Sequence, residues 1–268
     1  MSAPLRVGVI GLGARCVIAE NCHKATIPAE LVGGCDPNPA MRQRATEVLG
    51  DYPWFETLDE LLELGIDCAI VTSPDDTHED ITCALLEAGV AVYLEKPIAI
   101  TIEGSDRVLE TAYRTKTPLY VGHNMRHMAV VRILRKVVQD GLIGEVRAIW
   151  CRHFVGNGGD YYFKDWHADR SRTTGLLLQK AAHDIDVMNW LSDSVPERVV
   201  GMGDLMLYGK LSDRSGQKSD AVMSDWFSFD NWPPASLTGL NPVIDVEDVS
   251  MLMMRQTSGT LISYEQCH

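Results

Sequence analysis

The chain has 268 residues, of which 46% are hydrophobic, so it is long enough for two domains with cores of their own. Its formal net charge of −13 argues against a nucleic-acid partner or an anionic membrane surface. The seven cysteines lack Cys-x-x-Cys spacing, and no apolar run reaches the ~18 residues of a membrane helix. We expect neither a secretory signal nor a membrane segment, and therefore a cytoplasmic protein.

An apolar run at residues 7–10 breaks into Gly11-Leu12-Gly13, and a helical pattern begins at Ala14 and Arg15. Gly11 permits a tight turn, and Gly13 lets backbone N–H groups approach a diphosphate. The helix N-terminus adds a partial positive charge, so these residues predict a dinucleotide cradle. The third position of the fingerprint is Cys16, where Gly or Ala is usual, so the motif needs support from elsewhere.

Asp36 ends the second predicted strand, at about the ~20-residue offset expected of the acid that binds the adenosine ribose. A carboxylate there favours a free 2′-hydroxyl and repels a 2′-phosphate, so NAD is expected rather than NADP. Arg42 and Arg44 follow on the next helix and could weaken that preference. Alternatively, Asp36 caps the helix that begins at Pro39, and both roles are compatible.

The first half of the chain alternates short apolar strands with amphipathic helices, the pattern of a doubly wound parallel sheet. Strands are predicted at residues 7–10, 31–35, 67–72, 90–94 and 119–121, and helices at 14–25, 39–49, 58–64, 77–88 (capped by Thr77) and 102–115. Right-handed crossovers bring the carboxyl ends of such strands to one edge. The chemistry-bearing residues at those ends are Gly11, Asp36, Ser73, Lys96 and His123. Their agreement strengthens the predicted dinucleotide site.

The pattern changes after Gly122. Helices are predicted at residues 129–140 and 175–191, and strands at 145–154, 198–207, 246–255 and 260–265, the first of them alternating like an antiparallel strand. A polar and aromatic loop at 157–174 separates the first strand from the second helix. A long loop at 208–240 carries Trp226, Phe227, Phe229 and Trp232 and is expected to pack against another surface.

Lys96 and His183 are the candidate catalytic side chains. An ammonium at the ligand edge of a sheet can stabilise the alkoxide that forms as hydride leaves a hydroxyl carbon, although Lys96 could also be a surface lysine beside Glu95. His183 shares a helix face with Gln179, and Asp186 could orient its ring for proton transfer. The alternative is a histidine that only makes hydrogen bonds in the core.

The loop at 157–174 combines stacking faces with hydrogen-bonding groups, a mixture that suits a polyhydroxylated ligand. The residues concerned are Asp160, Tyr161, Tyr162, Trp166, His167, Asp169 and Arg170. A loop packed only for stability would have a similar composition. The histidines at 123, 127, 153, 167 and 183 have no metal-ligand spacing, so no metal is expected.

Together these landmarks resemble the glucose-fructose oxidoreductase and inositol dehydrogenase (Gfo/Idh/MocA) family. The resemblance is carried by the Gly11-Leu12-Gly13 turn, Asp36, Ser73-Pro74 with His78, Glu95-Lys96-Pro97, Ile143-Gly144-Glu145-Val146, and the His183-x-x-Asp186 helix ending in Trp190-Leu191. It implies an α/β protein, with a Rossmann domain at 1–122 and, at 123–268, an α/β domain with an open, mostly antiparallel sheet. It also implies NAD(P)-dependent oxidation or reduction at a secondary hydroxyl or carbonyl of a sugar, polyol or inositol-like substrate.

The resemblance assigns Lys96 to the reacting oxygen and His183 to the proton, and implies a cis bond at Lys96-Pro97 and a homo-oligomer, either a dimer or a tetramer. Cofactor contacts are expected at Gly11, Gly13, Ala14, Arg15, Asp36, Ser73, Pro74, His78, Glu95 and Lys96. Substrate contacts are expected at Lys96, Asn124, Arg126, Tyr161, Trp166, His167, Arg170, Gln179, Lys180 and His183.

Two departures from the family pattern stand out. Gln179 replaces the usual aspartate one turn before His183, and Lys180 lies beside it, so the proton relay could differ or the substrate could be acidic. Family members are also usually longer, so the second domain is expected to lack its C-terminal part. The alternatives are a glycosidase that uses NAD transiently for oxidation and elimination, and a non-catalytic nucleotide-binding regulatory protein.

Overall fold

The computed structural model describes residues 3–24, 26–155, 159–216 and 238–268. These residues form two compact units, the first ending at Gly122 and the second beginning at His123. Each unit has its own sheet, and they are described in turn.

The first unit contains a six-stranded sheet in which every neighbouring pair of strands is parallel. Its strands are β1 (Leu5–Ile10), β2 (Ala29–Cys35), β3 (Trp54–Phe55), β4 (Cys68–Val71), β5 (Ala91–Leu94) and β6 (Leu119–Val121). The order β3-β2-β1-β4-β5-β6 is that of a dinucleotide-binding sheet. The predicted doubly wound architecture is therefore confirmed, whereas the two-residue β3 is too short to show a period in the sequence.

Helices cover both faces of this sheet. They are α1 (Pro39–Leu49), α2 (Leu58–Leu62), α3 (His78–Glu87) and α4 (Ile102–Thr115), and the segment Ala14–Lys24 forms a 3-10 helix where an α-helix was predicted. Successive residues of β1 point to opposite faces, so Val9 packs with Cys16 and Ala45 while Ile10 packs with Leu85 and Leu94. Burial on both faces explains why these strands are continuously apolar.

Local capping explains several helix boundaries. The Asn38 side chain accepts a hydrogen bond from the Ala40 N–H and Pro39 occupies the first turn, so Asn38, and not Asp36, caps α1. Thr77 precedes α3 but makes no capping bond, and that expectation is wrong. Its hydroxyl instead turns back to the Pro74 carbonyl, 2.7 Å away, because a 3-10 turn intervenes before α3.

The second unit is built on a four-stranded sheet with the order β7-β10-β9-β8. Its elements are α5 (Ala129–Gln139), β7 (Ala148–Phe154), α6 (Arg170–Thr173), α7 (Leu176–Ser192), β8 (Pro196–Asp204), β9 (Val249–Gln256) and β10 (Leu261–Cys267). Two of the three pairings are antiparallel, as predicted, but β7 runs parallel to β10. The side chains of β7 alternate in burial because only one face of the sheet is covered, and this is equally true of parallel and antiparallel strands.

One face of this sheet packs against α7. Leu252, Ile262 and Tyr264 are buried there with Ala181 and Met188 of the helix. The opposite face exposes a set of large apolar side chains, among them Trp150, Val200, Met202, Met253 and Leu261. In the described residues this outer face has no covering element.

Of the two predicted loops, the first is more structured than expected. The first contains 3-10 turns at Gly159–Phe163 and Trp166–Ala168 before α6. The aromatic residues of the second, from Trp226 to Trp232, lie outside the described residues.

No helix in the described part of the chain is long and apolar enough to cross a bilayer. The same residues contain no cluster of three or more histidine, cysteine or acidic side chains suited to a metal ion.

Candidate functional site

The turn after β1 lies directly against the turn after β4. Gly11 has a φ of +84°, and a Cβ there would lie 2.4 Å from the Ser73 amide nitrogen, so only glycine fits. The Thr72 hydroxyl donates to the Gly11 carbonyl at 2.7 Å and joins the two turns. By contrast, a Cβ at Gly13 would meet nothing within 4 Å. A tight turn beside an open glycine, followed by a helical segment from Ala14, fits a diphosphate.

Asp36 is tied to this turn by its side chain. Its carboxylate accepts hydrogen bonds from the Leu12 N–H and the Asn38 N–H, both at 2.8 Å. A carboxylate has about four lone-pair sites, so it can also accept from ribose hydroxyls. Arg42 donates to the Asp36 carbonyl at 2.7 Å, which brings a guanidinium to the same strand end. The Asp36 carboxylate would repel a 2′-phosphate, whereas the Arg42 guanidinium would attract it.

Arg15 and Glu95, both expected to contact a cofactor, are paired with each other. An Arg15 guanidinium nitrogen lies 2.9 Å from a Glu95 carboxylate oxygen; the Arg15 side chain is 53% exposed and that of Glu95 only 7%. The other Glu95 oxygen accepts from the Lys96 N–H at 3.3 Å. The pair therefore joins the glycine turn to the turn after β5, and Arg15 retains enough exposure to contact a ligand.

His78 has a different environment from the one expected of a cofactor contact. It is 1% exposed, with Nδ1 2.7 Å from the Pro97 carbonyl and Nε2 3.0 Å from the Ser73 carbonyl. The buried ring therefore connects the turns after β4 and β5, and we assign His78 to positioning those turns. The Lys96-Pro97 bond is cis, as expected. Gly11, Asp36, Ser73 and Lys96 all follow carboxyl ends of parallel strands at this edge.

Cys16, at the third fingerprint position, is a packing residue. It is buried with Val9, Leu12 and Ala45, and its N–H donates to the Gly13 carbonyl at 3.2 Å. Burial raises the pKa of the Cys16 thiol to about 11, against the opposing charge of Arg44. A neutral apolar thiol therefore fills the space between helix and strand that Gly or Ala fills elsewhere.

In the second unit, α7 carries the histidine of the motif. The Asp186 carboxylate binds the Arg126 guanidinium through both oxygens, at 2.7 and 2.6 Å, and His123 Nδ1 lies 3.8 Å from it. Asp186 was expected to orient His183, and Arg126 to contact substrate. This ion pair also fixes the turn Asn124–His127 against α7, and the roles expected of Asp186 and Arg126 stay predictions.

Asp184 was not singled out by the sequence analysis, yet it organises the interior beneath α7. Its buried carboxylate accepts from His153 Nδ1 at 2.7 Å and from the Tyr264 hydroxyl at 2.8 Å. Burial, together with the Asp184 charge, raises the pKa of Tyr264, so the phenol stays a donor. The only sequence signal was its position next to His183, since its partners lie on β7 and β10.

The structure brings Lys180 together with the loop at 157–174. Lys180 Nζ donates to the Tyr162 hydroxyl and lies 4.4 Å from the centre of that ring. The His167 ring is 5.1 Å from Tyr162 and 5.4 Å from Tyr161, and it stacks on Trp166 at 3.7 Å. Three of the expected loop contacts, Tyr161, Trp166 and His167, therefore form one aromatic cluster with Lys180.

Arg170, another expected loop contact, binds residues outside that cluster. Its guanidinium donates to the Asp245 and Thr174 carbonyls and binds the Glu247 carboxylate at 2.9 Å. These bonds fasten α6 to the chain before β9, so we assign Arg170 to stabilising the loop. Gln179 is 4% exposed on the inner face of α7.

Two family models together cover most of the chain. The model of an oxidoreductase family with an NAD-binding Rossmann fold matches residues 5–123, and the Gfo/Idh/MocA C-terminal domain matches residues 131–268. The chain belongs to the Gfo/Idh/MocA family. An inositol 2-dehydrogenase of Klebsiella pneumoniae (strain ATCC 700721 / MGH 78578) is 31% identical over 193 residues, which is 70% of this chain and 54% of that enzyme.

Solved structures share the fold at low sequence identity. A scyllo-inositol dehydrogenase from Lactobacillus casei, with bound cofactor NAD(H) and scyllo-inositol, matches with a TM-score of 0.75 at 22% identity, over 99% of this chain and 70% of that one. The WlbA dehydrogenase from Bordetella pertussis, in complex with NADH and UDP-GlcNAcA, matches with a TM-score of 0.78 at 21% identity, over 99% and 72%. The chain spans 44% to 64% of the length of the curated relatives it matches.

Proposed function

We propose that this protein is an NAD-dependent dehydrogenase that acts on a secondary hydroxyl of a sugar, polyol or inositol-like substrate. The observation that carries the proposal is the carboxyl edge of the first sheet. There Gly11 fits only as glycine, Gly13 faces open space, and Asp36 and Lys96 flank the turn. The inositol 2-dehydrogenase relatives, at about 30% identity, support the substrate class.

The first unit supplies the residues that would hold the cofactor. The glycine turn and Ala14 fit the diphosphate, Asp36 fits the adenosine ribose, and Ser73, Pro74 and Arg15 line the neighbouring turns. When bound, NAD supplies the hydride acceptor, and the protein supplies geometry and charge. The carboxylate of Asp36 favours NAD over NADP, and the nearby Arg42 moderates that preference.

Two side chains carry the remaining chemistry in this proposal. The Lys96 ammonium donates a hydrogen bond to the reacting oxygen and stabilises negative charge on it as the carbon–hydrogen bond breaks. His183 accepts the hydroxyl proton, because an imidazole titrates near neutral pH. The Arg15–Glu95 pair and His78 position the turn that presents Lys96.

A substrate panel tests this function. Inositols, hexoses and their acids are incubated with NAD or NADP, and the reduced cofactor is measured. We expect net NADH formation with at least one compound, and loss of about 100-fold or more in turnover for Lys96→Ala with unchanged NAD affinity. Unchanged turnover in that variant would contradict the role of Lys96. Product without net NADH would indicate transient oxidation and elimination instead.

The outer face of the second sheet supports a homo-oligomer. Exposed apolar side chains such as Trp150, Met202 and Met253 form a surface that water solvates poorly. We therefore expect a dimer or tetramer in solution. Light scattering coupled to size-exclusion chromatography measures this directly, and a monomer at micromolar concentration would contradict it.

A further inference from the structure

Lys180 is a largely buried cation whose side chain has no carboxylate within ion-pair distance among the described residues. Its Nζ contacts the hydroxyl and ring of Tyr162. The nearest acid on its own helix, Asp184, is already occupied by His153 and Tyr264. The other buried lysine of this unit, Lys164, does have a counter-ion, because Asp160 lies 3.2 Å away.

A second buried group, His268, lies in the same cluster. His268 is 7% exposed, and both of its ring nitrogens are buried without a hydrogen-bond partner. Its ring lies 5.3 Å from that of Tyr162, so Tyr162 connects it to Lys180. Burial, and the neighbouring Lys180, His153 and His167, lower the pKa of His268 to about 3. The His268 ring is therefore neutral, and the charge that Tyr162 contacts is the Lys180 ammonium.

The two acids nearest this cluster are hydrogen-bonded to histidines and do not form an ion pair with Lys180. Asp165 binds His167 Nδ1 at 2.5 Å, and Asp184 binds His153. Gln179, next to Lys180, is a neutral amide. A buried ammonium is costly unless an anion compensates it, so a bound anion gains most at such a position.

We propose that Lys180 and Tyr162 form a subsite for the carboxylate of the substrate, so that this enzyme prefers a sugar acid over the corresponding neutral sugar. The inference rests on the proposed dehydrogenase function and assigns its substrate class. The ammonium binds the carboxylate directly. The Tyr162 hydroxyl accepts from that ammonium and so holds it in place for the carboxylate. A single ammonium matches the single charge of a carboxylate better than a phosphate dianion.

The test compares acid and neutral sugars as matched pairs in the presence of NAD. Glucuronate and glucose, and galacturonate and galactose, are assayed for NADH formation and for binding by calorimetry. We expect one uronate to be the better substrate, with a KM about 10-fold or more below that of its neutral partner. Lys180→Met should raise the KM and Kd of that uronate by about 10- to 100-fold, leaving kcat and the neutral sugar little changed.

Three control variants separate charge from packing. Lys180→Arg keeps the charge and should retain part of the uronate affinity, and Lys180→Gln serves if the methionine variant does not fold. Lys136→Met removes an exposed lysine paired with Asp140 and should change neither substrate. Circular dichroism shows whether each variant is folded.

The outcomes distinguish this inference from the proposed function. If a neutral sugar is oxidised and the folded Lys180 variants bind uronate as the wild type does, the subsite is refuted while the dehydrogenase stands. If no sugar is oxidised but uronate binding still requires Lys180, the subsite stands and the dehydrogenase fails. Tighter binding of glucose 6-phosphate than of any uronate would overturn the carboxylate assignment.

Discussion

The two units hold their functional groups in different ways. In the first, the polar side chains at the sheet edge mostly bind one another or the backbone, as in the Arg15–Glu95 pair and the His78 contacts. The group that remains accessible to a ligand there is the backbone at Gly13, where a Cβ would meet nothing within 4 Å. In the second, Lys180 is bound to the Tyr162 hydroxyl and to no carboxylate of the described residues, and both ring nitrogens of His268 are buried without a hydrogen-bond partner. A rigid backbone cradle suits a constant cofactor, whereas a buried ammonium without a counter-ion suits one class of substrate.

The largest expected effect is at Gly11. Gly11→Ala places a Cβ 2.4 Å from the Ser73 nitrogen at a φ of +84°, so the free energy of unfolding should fall by roughly 3 kcal/mol or more and NAD binding should be lost. Gly13→Ala is the matched control, because its Cβ meets nothing in the protein. It should keep its stability and lose only NAD affinity. Urea denaturation and calorimetry check both, and a stable Gly11→Ala protein would contradict the geometry.

The buried carboxylate of Asp184 should contribute more to the free energy of unfolding than an exposed carboxylate of the same unit. Asp184→Ala removes the acceptor of His153 and leaves the Tyr264 hydroxyl only Gln266 Oε1, at 3.0 Å, so the free energy of unfolding should fall by roughly 2 kcal/mol. Asp193→Asn removes the charge of a mostly exposed carboxylate next to Arg135, keeps a residue that tolerates the left-handed backbone there, and should cost below about 1 kcal/mol. Equal effects in denaturant titrations would show that the Asp184 network does not stabilise the fold.

Acid should weaken the fold through His268. Its pKa is lowered from 6.5 to about 3, so below pH 6.5 the unfolded chain takes up a proton that the folded chain does not. Stability from this group is therefore lost as pH falls from 6.5 towards 3, by about 1.4 kcal/mol per pH unit. His268→Gln should flatten that slope in urea titrations at several pH values. An unchanged slope would contradict the buried, neutral ring.

A smaller pH effect should appear in substrate affinity. Burial lowers the pKa of Lys180, and the charge of Asp184 opposes this only partly. Lys180 loses its proton as the pH rises through that lowered pKa. The affinity for uronate should therefore fall at an alkaline pH that is lower than the pKa of an ordinary lysine. Tyr162 and His268 face the same group. Binding of a neutral sugar measured in parallel should not show the decline, and a shared decline would point to another titrating group.

The smallest effect is expected at Arg170. Arg170→Ala should lower the free energy of unfolding by about 1 kcal/mol and leave KM within about 2-fold, because its partners are Asp245, Thr174 and Glu247. If KM rises while the free energy of unfolding stays unchanged, Arg170 contacts the substrate, as the sequence predicted.

The sequence predicted the first unit well because its signals are local. The bounds of α1 and α4 agree with the structure to the residue, since Asn38 with Pro39 and Thr101 cap them within one turn. The strand ends at Gly11 and Asp36 follow from the alternation of strands and helices. The two-residue β3 and the 3-10 geometry after Gly13 left no periodic signal.

The second unit was harder because its contacts join distant parts of the chain. The parallel pairing of β7 with β10 and the binding of Asp184 by His153 and Tyr264 link residues that no local pattern connects. The hydrogen bonds of Arg170 to residues 245–247 are of the same kind. Sequence spacing indicated Asp186 as a partner of His183, but no local pattern indicated that Arg126 binds the same carboxylate.

Hydride transfer itself is the most direct test of the account. A sugar or sugar acid oxidised by the wild type is prepared with deuterium at its carbinol carbon, and the cofactor is analysed by mass spectrometry after turnover. We predict that deuterium appears in NADH in amounts matching the oxidised product, and that Lys96→Ala transfers none while binding NAD normally. Product formed without labelled NADH would contradict a dehydrogenase built on this sheet edge.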